Sequence, residues 1–367
     1  MKRVSSKPKK RYTIGINALF LVPNRVGGTE YHLRSFLKEL DHADSEFTFI
    51  VFCNQENADT FSFAHKNWKK VVCPVPAKYR ALRILYEQFL LPQRARGENC
   101  DLLHSFGYFG PLYTAMPHVV TVHDVNWKDH PEDSSRFTNL LLRLLCEQGM
   151  KTAAKIMTVS QFSAQRIQHY FPHLSAKIAV IPSGVDQLFN KSSKYLQSKV
   201  AEKKQLLCVS SFYPHKRVLY LLDLWEVLQP RLPGYQLVIV GQNGLDMPAV
   251  LKRIAELSNV THYHKVSFTI LHQLYYSAAA VIQPSVYEGF GYPVYEARAL
   301  NKKVVVGARK LYDEKMQNQL SELSFNPKKD ALMIESLLQS TKKYTPFTLS
   351  YKTAIRRLEQ LYREVPQ

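Results

Sequence analysis

Short apolar runs alternate with longer segments of helical periodicity along most of the chain. In the first half the strand-like runs fall at 13–20, 47–52, 102–105, 118–123 and 155–160. Helical patterns separate them at 33–40, 79–91, 137–151 and 163–170. In the second half the runs fall at 205–210, 236–241, 260–263, 279–283 and 303–306, with helical patterns at 219–228, 247–257, 270–277 and 292–300. Buried strands alternating with helices predict βαβ units and parallel sheets. The same grammar twice over predicts an α/β protein of two Rossmann-like lobes facing across a cleft.

Pro182 and Gly184 end a strand within Ile181-Pro182-Ser183-Gly184-Val185-Asp186, and a polar, basic stretch follows at 190–202. The expected division is therefore a first lobe over 1–184, a second over 185–345, and a final piece over 346–367. Within that piece, 351–363 carries the helical stripe Ile355, Leu358, Leu361 and Tyr362, and is expected to cross back to the first lobe. Ligands of such sheets bind at the carboxyl ends of the strands, here in the interlobe cleft.

Composition narrows the class. The 367 residues are 46% apolar and 22% charged, which supports packed cores and excludes disorder. No run of about twenty apolar residues suggests a spanning helix. Cys53, Cys73, Cys100, Cys146 and Cys208 are scattered without metal-ligand spacing and read as reduced core thiols. Basic residues from Lys2 to Arg11 precede an apolar stretch, as in a signal peptide. Asn17 interrupts that stretch and a glycine turn follows it, so it reads as a buried first strand. The expected location is cytoplasmic, with peripheral contact to the inner face of the membrane.

The formal net charge is +19, and both halves share it: residues 1–183 carry 24 basic against 15 acidic side chains, the remainder 25 against 15. Such a surface suits an anionic partner, whether phosphate, nucleic acid or an acidic bilayer.

The strongest chemical signal is Tyr287-Glu288-Gly289-Phe290-Gly291-Tyr292-Pro293-Val294-Tyr295-Glu296, which follows an apolar strand and opens a helix. Gly289 and Gly291 permit tight turns, and Pro293 suits the first helical turn, where free N–H groups form an anion site. Glu288 and Glu296 can accept hydrogen bonds from different hydroxyls of one polar ligand; the plainer alternative is a cap and a helix carboxylate. Lys216, in Pro214-His215-Lys216-Arg217 after another strand, is placed to neutralise a leaving phosphate. His123, with Asp124 beside it, ends the strand run 118–123, and His104 ends a neighbouring one. No pair of histidines has convincing metal spacing; His262 and His264 share a strand face as a weak exception. Gly27-Gly28 lies between a strand and a helix without the GxGxxG pattern, which disfavours an NAD dehydrogenase. Tyr79, Leu82, Tyr86 and Phe89 recur at helical spacing among Lys78, Arg80 and Arg83, a stripe that either lies on an anionic membrane or packs into the first lobe's core.

Glu288 to Glu296, with Gly-Phe-Gly-Tyr-Pro between, resembles the Glu-x7-Glu signature of retaining GT-B glycosyltransferases, family 4 in particular. Gly27-Gly28-Thr29-Glu30, Leu103-His104-Ser105, Thr121-Val122-His123-Asp124, Thr158 to Ser163, Ile181 to Asp186, Pro214 to Arg217 and Val240-Gly241 fall in that family's order along nearly the whole chain. The resemblance implies a GT-B fold and transfer of a hexose from a nucleotide diphosphate sugar to a hydroxyl of a glycan or lipid-linked acceptor, with retention and no metal cofactor. It implies catalytic roles for His123, Glu288 and Lys216. Gly28, Lys216, Arg217, Glu288, Phe290, Gly291, Tyr292 and Glu296 would form the donor side, with His104 and Asp124 on the acceptor side. The family's usual Arg-x4-Lys pair is broken here, because Ser211 stands at the arginine position. Tyr86-Glu87-Gln88 through Leu91-Pro92 resembles mannosyl-transferring enzymes of polysaccharide biosynthesis, which tilts the expectation towards mannose, glucose next. Two other readings stay open: a GT-B nucleotide-sugar epimerase or hydrolase, and a non-enzymatic basic protein binding membranes or nucleic acid.

Overall fold

Residues 12–23, 27–185, 200–342 and 344–365 are described in a computed structural model of the chain, and they build two wholly parallel sheets. Asn24 to Val26, Asp186, and residues 190–199 of the polar stretch lie outside the described residues. The first sheet has the order β3-β2-β1-β4-β5-β6-β7, with β1 (Thr13–Asn17), β2 (Thr48–Cys53), β3 (Lys69–Val72), β4 (Leu102–Ser105), β5 (His118–Thr121), β6 (Lys155–Thr158) and β7 (Ile178–Val180). The second has the order β10-β9-β8-β11-β12-β13, with β8 (Gln205–Val209), β9 (Gln236–Val240), β10 (Val260–Tyr263), β11 (Ala280–Gln283), β12 (Lys303–Val306) and β13 (Ser321–Glu322). In each sheet the chain runs outward one way from a central strand, then restarts on that strand's other side. The crevices between the ends of β1 and β4, and of β8 and β11, are the two switch points where such sheets bind ligands.

The central strands are buried on both faces, which is why they read as continuous apolar runs. Two strands are absent from the sequence expectation, β3 and β13. Both are short edge strands: β3 buries only Val71, with Lys69, Lys70 and Val72 exposed, and β13 is two residues long. The single helix expected at 79–91 is longer and divided. A helix at Arg80–Leu85 passes through a π-helical turn at Tyr86–Leu90 into a helix at Leu91–Gly97, and Pro92 is tolerated because it sits in the first turn of that last piece.

The helix Tyr351–Arg363 packs on the first lobe. Its stripe of Tyr351, Ala354, Ile355, Leu358, Leu361 and Tyr362 is buried with Leu33, Phe36, Leu37 and Leu40 of the helix Gly28–Asp41 and with Ile14 and Ile16 of β1. Each such leucine, fully removed from water, contributes about 2 kcal/mol. Val185, by contrast, packs in the second lobe's core, its N–H donating to Leu349 O at 2.9 Å. All five cysteines are buried free thiols. No helix among the described residues is long and apolar enough to cross a membrane.

Candidate active site

The loops that leave β8 and β11 flank the second sheet's switch point, and each delivers one charged group. Lys216 closes a short turn at Pro214–Lys216, and Glu288 stands three residues before the left-handed Gly291 (φ +81°) that turns the chain into the helix Tyr292–Ala299. A Cβ on Gly291 would stand 2.7 Å from the Tyr312 ring, so glycine is required there for space as well as for backbone. Lys216 Nζ donates to Glu288 Oε2 at 2.7 Å, and Gln283 Nε2 approaches Oε1 at 3.4 Å. Burial alone would raise the Glu288 carboxyl, but the Lys216 ammonium and the Ser285 hydroxyl hold it below the ordinary carboxylate range. Glu288 is therefore an anion at neutral pH, able to accept hydrogen bonds from hydroxyls.

The other residues expected on the donor side fall in four places. Glu296, buried one turn into the helix, faces the Tyr275 hydroxyl, whose pKa is raised well above normal by burial and by that carboxylate. The Phe290 ring lies in the second lobe's core, stacked on Tyr295 at 4.4 Å, so it supports the loop from behind. Tyr292 reaches the other lobe: its hydroxyl donates to Ser183 Oγ at 2.8 Å, and a Cβ on Gly28 would touch its ring at 3.9 Å. Arg217 is exposed, with left-handed backbone (φ +53°), and acts on Asp246, whose carboxyl is raised by burial and by Asp133 and lowered by Arg217. The cation on Glu288 is Lys216, and Arg217 sides with a different carboxylate. Ser211, at the family's arginine position, accepts from the Ser210 hydroxyl through its carbonyl at 2.9 Å.

The first lobe meets this loop directly. A Cβ on Gly289 would stand 2.8 Å from His123 O and 3.1 Å from Asp124 Oδ2, so the two lobes touch here only because residue 289 has no side chain. The Ser163 hydroxyl, on the helix Gln161–Tyr170, reaches both His123 O at 2.8 Å and Gly289 O at 3.1 Å. Tyr287 Oη accepts from Val125 N–H at 3.1 Å, and His215, next to Lys216, pairs with Asp133 of the first lobe. The loop that carries Glu288 therefore meets the segment His123 to Val125 where the two lobes touch.

His123 Nε2 must donate to the Phe106 carbonyl at 3.0 Å, which leaves Nδ1 as the acceptor of a neutral ring. Burial lowers its pKa, against the Phe106 carbonyl and Asp124, which pull it up. Asp124 Oδ1 accepts from Asn126 N–H at 3.1 Å and so also shapes the turn after β5. His104 requires a correction. It is fully buried, with Nδ1 on the Tyr362 hydroxyl and Nε2 on Thr121 Oγ1, both at 2.8 Å. Both ring nitrogens are thus committed inside the first lobe, and the ring ties the last helix to the sheet instead of lining an acceptor surface. His262 is similarly engaged, 2.9 Å from Gly241 O through Nε2, and the described residues contain no cluster of three His, Cys, Asp or Glu suited to a metal.

His32, Ser183 and Asp133 went unread in the sequence. His32 lies on the helix Gly28–Asp41, edge-on to His123 at 4.9 Å, with Nδ1 on Ser183 Oγ and a buried Nε2 that has no partner. Burial, then His123 and His104, lower its pKa far below the usual value. A histidine interrupting the apolar face Leu33, Phe36, Leu37 and Leu40 was the available signal.

Two family models match the chain in sequence, Glycosyltransferase Family 4 over residues 26–187 and Glycosyl transferases group 1 over residues 192–347. Among curated proteins it is 29% identical over 247 residues to the O-antigen chain mannosyltransferase RfbU of Salmonella typhimurium, covering 66% of this chain and 61% of that protein. It is 27% identical over 219 residues to the O-antigen chain mannosyltransferase B of Escherichia coli, covering 54% of this chain and 56% of that one. The matches thus span about three fifths of these relatives' length. Among solved structures, sucrose-phosphate synthase from Thermosynechococcus elongatus superposes with a TM-score of 0.67 at 16% identity, over 96% of this chain and 99% of that one. Anabaena HepE in complex with UDP and glucose gives 0.62 at 18% identity, over 96% and 95%. At these identities the structural likeness concerns the fold.

Proposed function

The chain belongs to glycosyltransferase family 4, with the two-lobed GT-B fold, and we propose that it transfers a hexose, mannose first, from a nucleotide diphosphate sugar to a hydroxyl of a glycan or lipid-linked acceptor with retention of configuration. The observation that carries this reading is the part-buried Lys216–Glu288 pair, 2.7 Å apart in the loops after β8 and β11, with Gly289 next to it against the His123 carbonyl of the first lobe. A sugar nucleotide presents to such a pair the two groups each prefers, a diphosphate for the ammonium and sugar hydroxyls for the carboxylate. The mannosyltransferase names of its relatives support the choice of sugar.

In this reading the donor parts the ion pair. Lys216 and the free N–H groups before Pro293 stabilise the charge that grows on the leaving diphosphate, and Glu296 holds the nucleotide ribose. The anomeric C–O bond to phosphate breaks as the sugar acquires oxocarbenium character. The acceptor oxygen then bonds to the anomeric carbon on the same face, and its proton passes to the departing phosphate oxygen. His123, neutral and with Nδ1 as its acceptor, orients hydroxyls on the acceptor side. Retention here rests on family likeness, not on a distance between carboxylates.

The test has two stages. Thermal shift with UDP, GDP and ADP identifies the base, since a ligand of the folded state raises its apparent stability. Incubation of the matching sugar nucleotide with acceptor glycans is then read by product analysis. A new α-glycosidic bond is expected; free sugar, epimerised or hydrolysed, in its place overturns the reading in favour of the epimerase or hydrolase alternative.

A further inference from the structure

Of the helical stripe Tyr79, Leu82, Tyr86 and Phe89, Tyr86 alone packs against the first lobe's core. Tyr79, Leu82, Leu85 and Phe89 are each more than half exposed. A second helix does the same: on Arg136–Thr152 the residues Phe137, Leu140 and Leu144, spaced i, i+3 and i+7, are also more than half exposed. Both helices cover one apolar cluster, Ile84 from the first helix packing there with Cys146 and Met150 from the second. Their outer faces therefore lie together over the same side of the first lobe. Scattered surface leucines are ordinary, but two exposed stripes on helices that share one buried cluster are not.

Charge says what covers them. Lys78, Arg80, Arg96, Arg136 and Lys151 are exposed on or beside these helices, and no ion pair engages any of the five among the described residues. The acids nearby are engaged: Glu87 is buried, Glu147 pairs with Lys128 at 2.6 Å, and Glu56, beside Lys78, accepts from the Ala77 and Lys78 N–H groups at 2.8 and 3.1 Å. A second copy of this chain would bring the same cations face to face, on a molecule already at +19. Leucine and phenylalanine rimmed by arginine instead match the boundary between acyl chains and anionic headgroups. Beside Phe89 the surface deepens into a hollow of about 960 Å³, with Pro92, Arg96, Leu112, Tyr113 and Met116 in its walls. That hollow borders Pro117 and Ala154, at the starting ends of β5 and β6, whereas His123 follows the finishing end of β5.

We infer that these two helices form a docking face for an anionic lipid bilayer, seating Leu82, Leu85, Phe89, Phe137, Leu140 and Leu144 among the acyl chains with the interlobe cleft left open. The inference is independent of the transfer reading, because bilayer binding is measured with no sugar present.

The full chain is sedimented with vesicles of phosphatidylcholine alone and of phosphatidylcholine mixed with phosphatidylglycerol. The protein is expected to pellet with the mixed vesicles only, and to be released in about 1 M salt, where the screening length falls to about 3 Å. Leu85→Asp with Phe89→Asp, and separately Leu140→Asp with Leu144→Asp, should each weaken binding about tenfold or more while thermal midpoints stay unchanged. Arg80→Ser with Arg136→Ser, which leaves the apolar stripes intact, should weaken binding to the mixed vesicles alone. Failure of the wild type to pellet, equal binding to both vesicle types, or retention by both aspartate variants overturns the inference. So does a concentration-dependent dimer that either aspartate pair dissociates, which would assign the face to a second copy.

Discussion

In the loops after β8 and β11 the second lobe sets an ammonium and a carboxylate 2.7 Å apart, while in the first lobe His32, on the helix after β1, and His123, after β5, are rings whose protons are disfavoured by burial. Six strands of the first sheet repeat the order of the second, so the contrast lies in the segments that follow the strands. An ion pair on one side and uncharged imidazole rings on the other suit the two substrates proposed, one carrying a diphosphate and one offering hydroxyls. The lesson is that repeated topology supplies two equivalent mouths, and a few loop residues divide the chemistry between them.

The sharpest way to break this division is Glu288→Ala. Transfer should fall about a thousandfold with the thermal midpoint retained, and Glu296→Ala should instead weaken donor binding about tenfold by titration. Near-normal turnover by the first variant would take the chemistry away from the second lobe. His123→Asn comes next: kcat should drop about tenfold while the sugar nucleotide binds as before, so a loss confined to donor affinity would erase the distinction between the halves.

Acid should reveal the same contrast at smaller scale. Burial lowers the His118 pKa to about 4 and moves His32, His104 and His123 in the same direction. As pH falls below about 6.5, the unfolded chain takes up protons that the folded first lobe refuses, so stability declines from there towards pH 4. Thermal midpoints across that range should show the decline, and His118→Gln should flatten it. A midpoint indifferent to pH would mean the rings are not held neutral.

Much of this architecture was legible in the residues. The buried central strands announced both sheets, and the Gly-Phe-Gly-Tyr-Pro elbow located Glu288 after β11. What escaped was whatever depends on partners distant in the chain. β3 and β13 lack an apolar run because β3 buries only Val71 and β13 is two residues long. His215 reads as part of a basic cluster until Asp133, 82 residues away, is seen against it. His104 looks like a site histidine by its place after a strand, and only the Tyr362 hydroxyl, 258 residues on, shows that it is a structural tie. The stripe from Tyr79 to Phe89 has a helical period in either setting, and periodicity alone does not say whether such a face is covered.

The last helix carries a practical consequence. Leu358, Leu361 and Tyr362 complete a core otherwise drawn from the opening stretch of the polypeptide. A fragment ending near Val185 would bare that core and leave His104 without its phenol. Producing the first lobe by itself would call for circular permutation or for supplying the missing helix as a separate peptide.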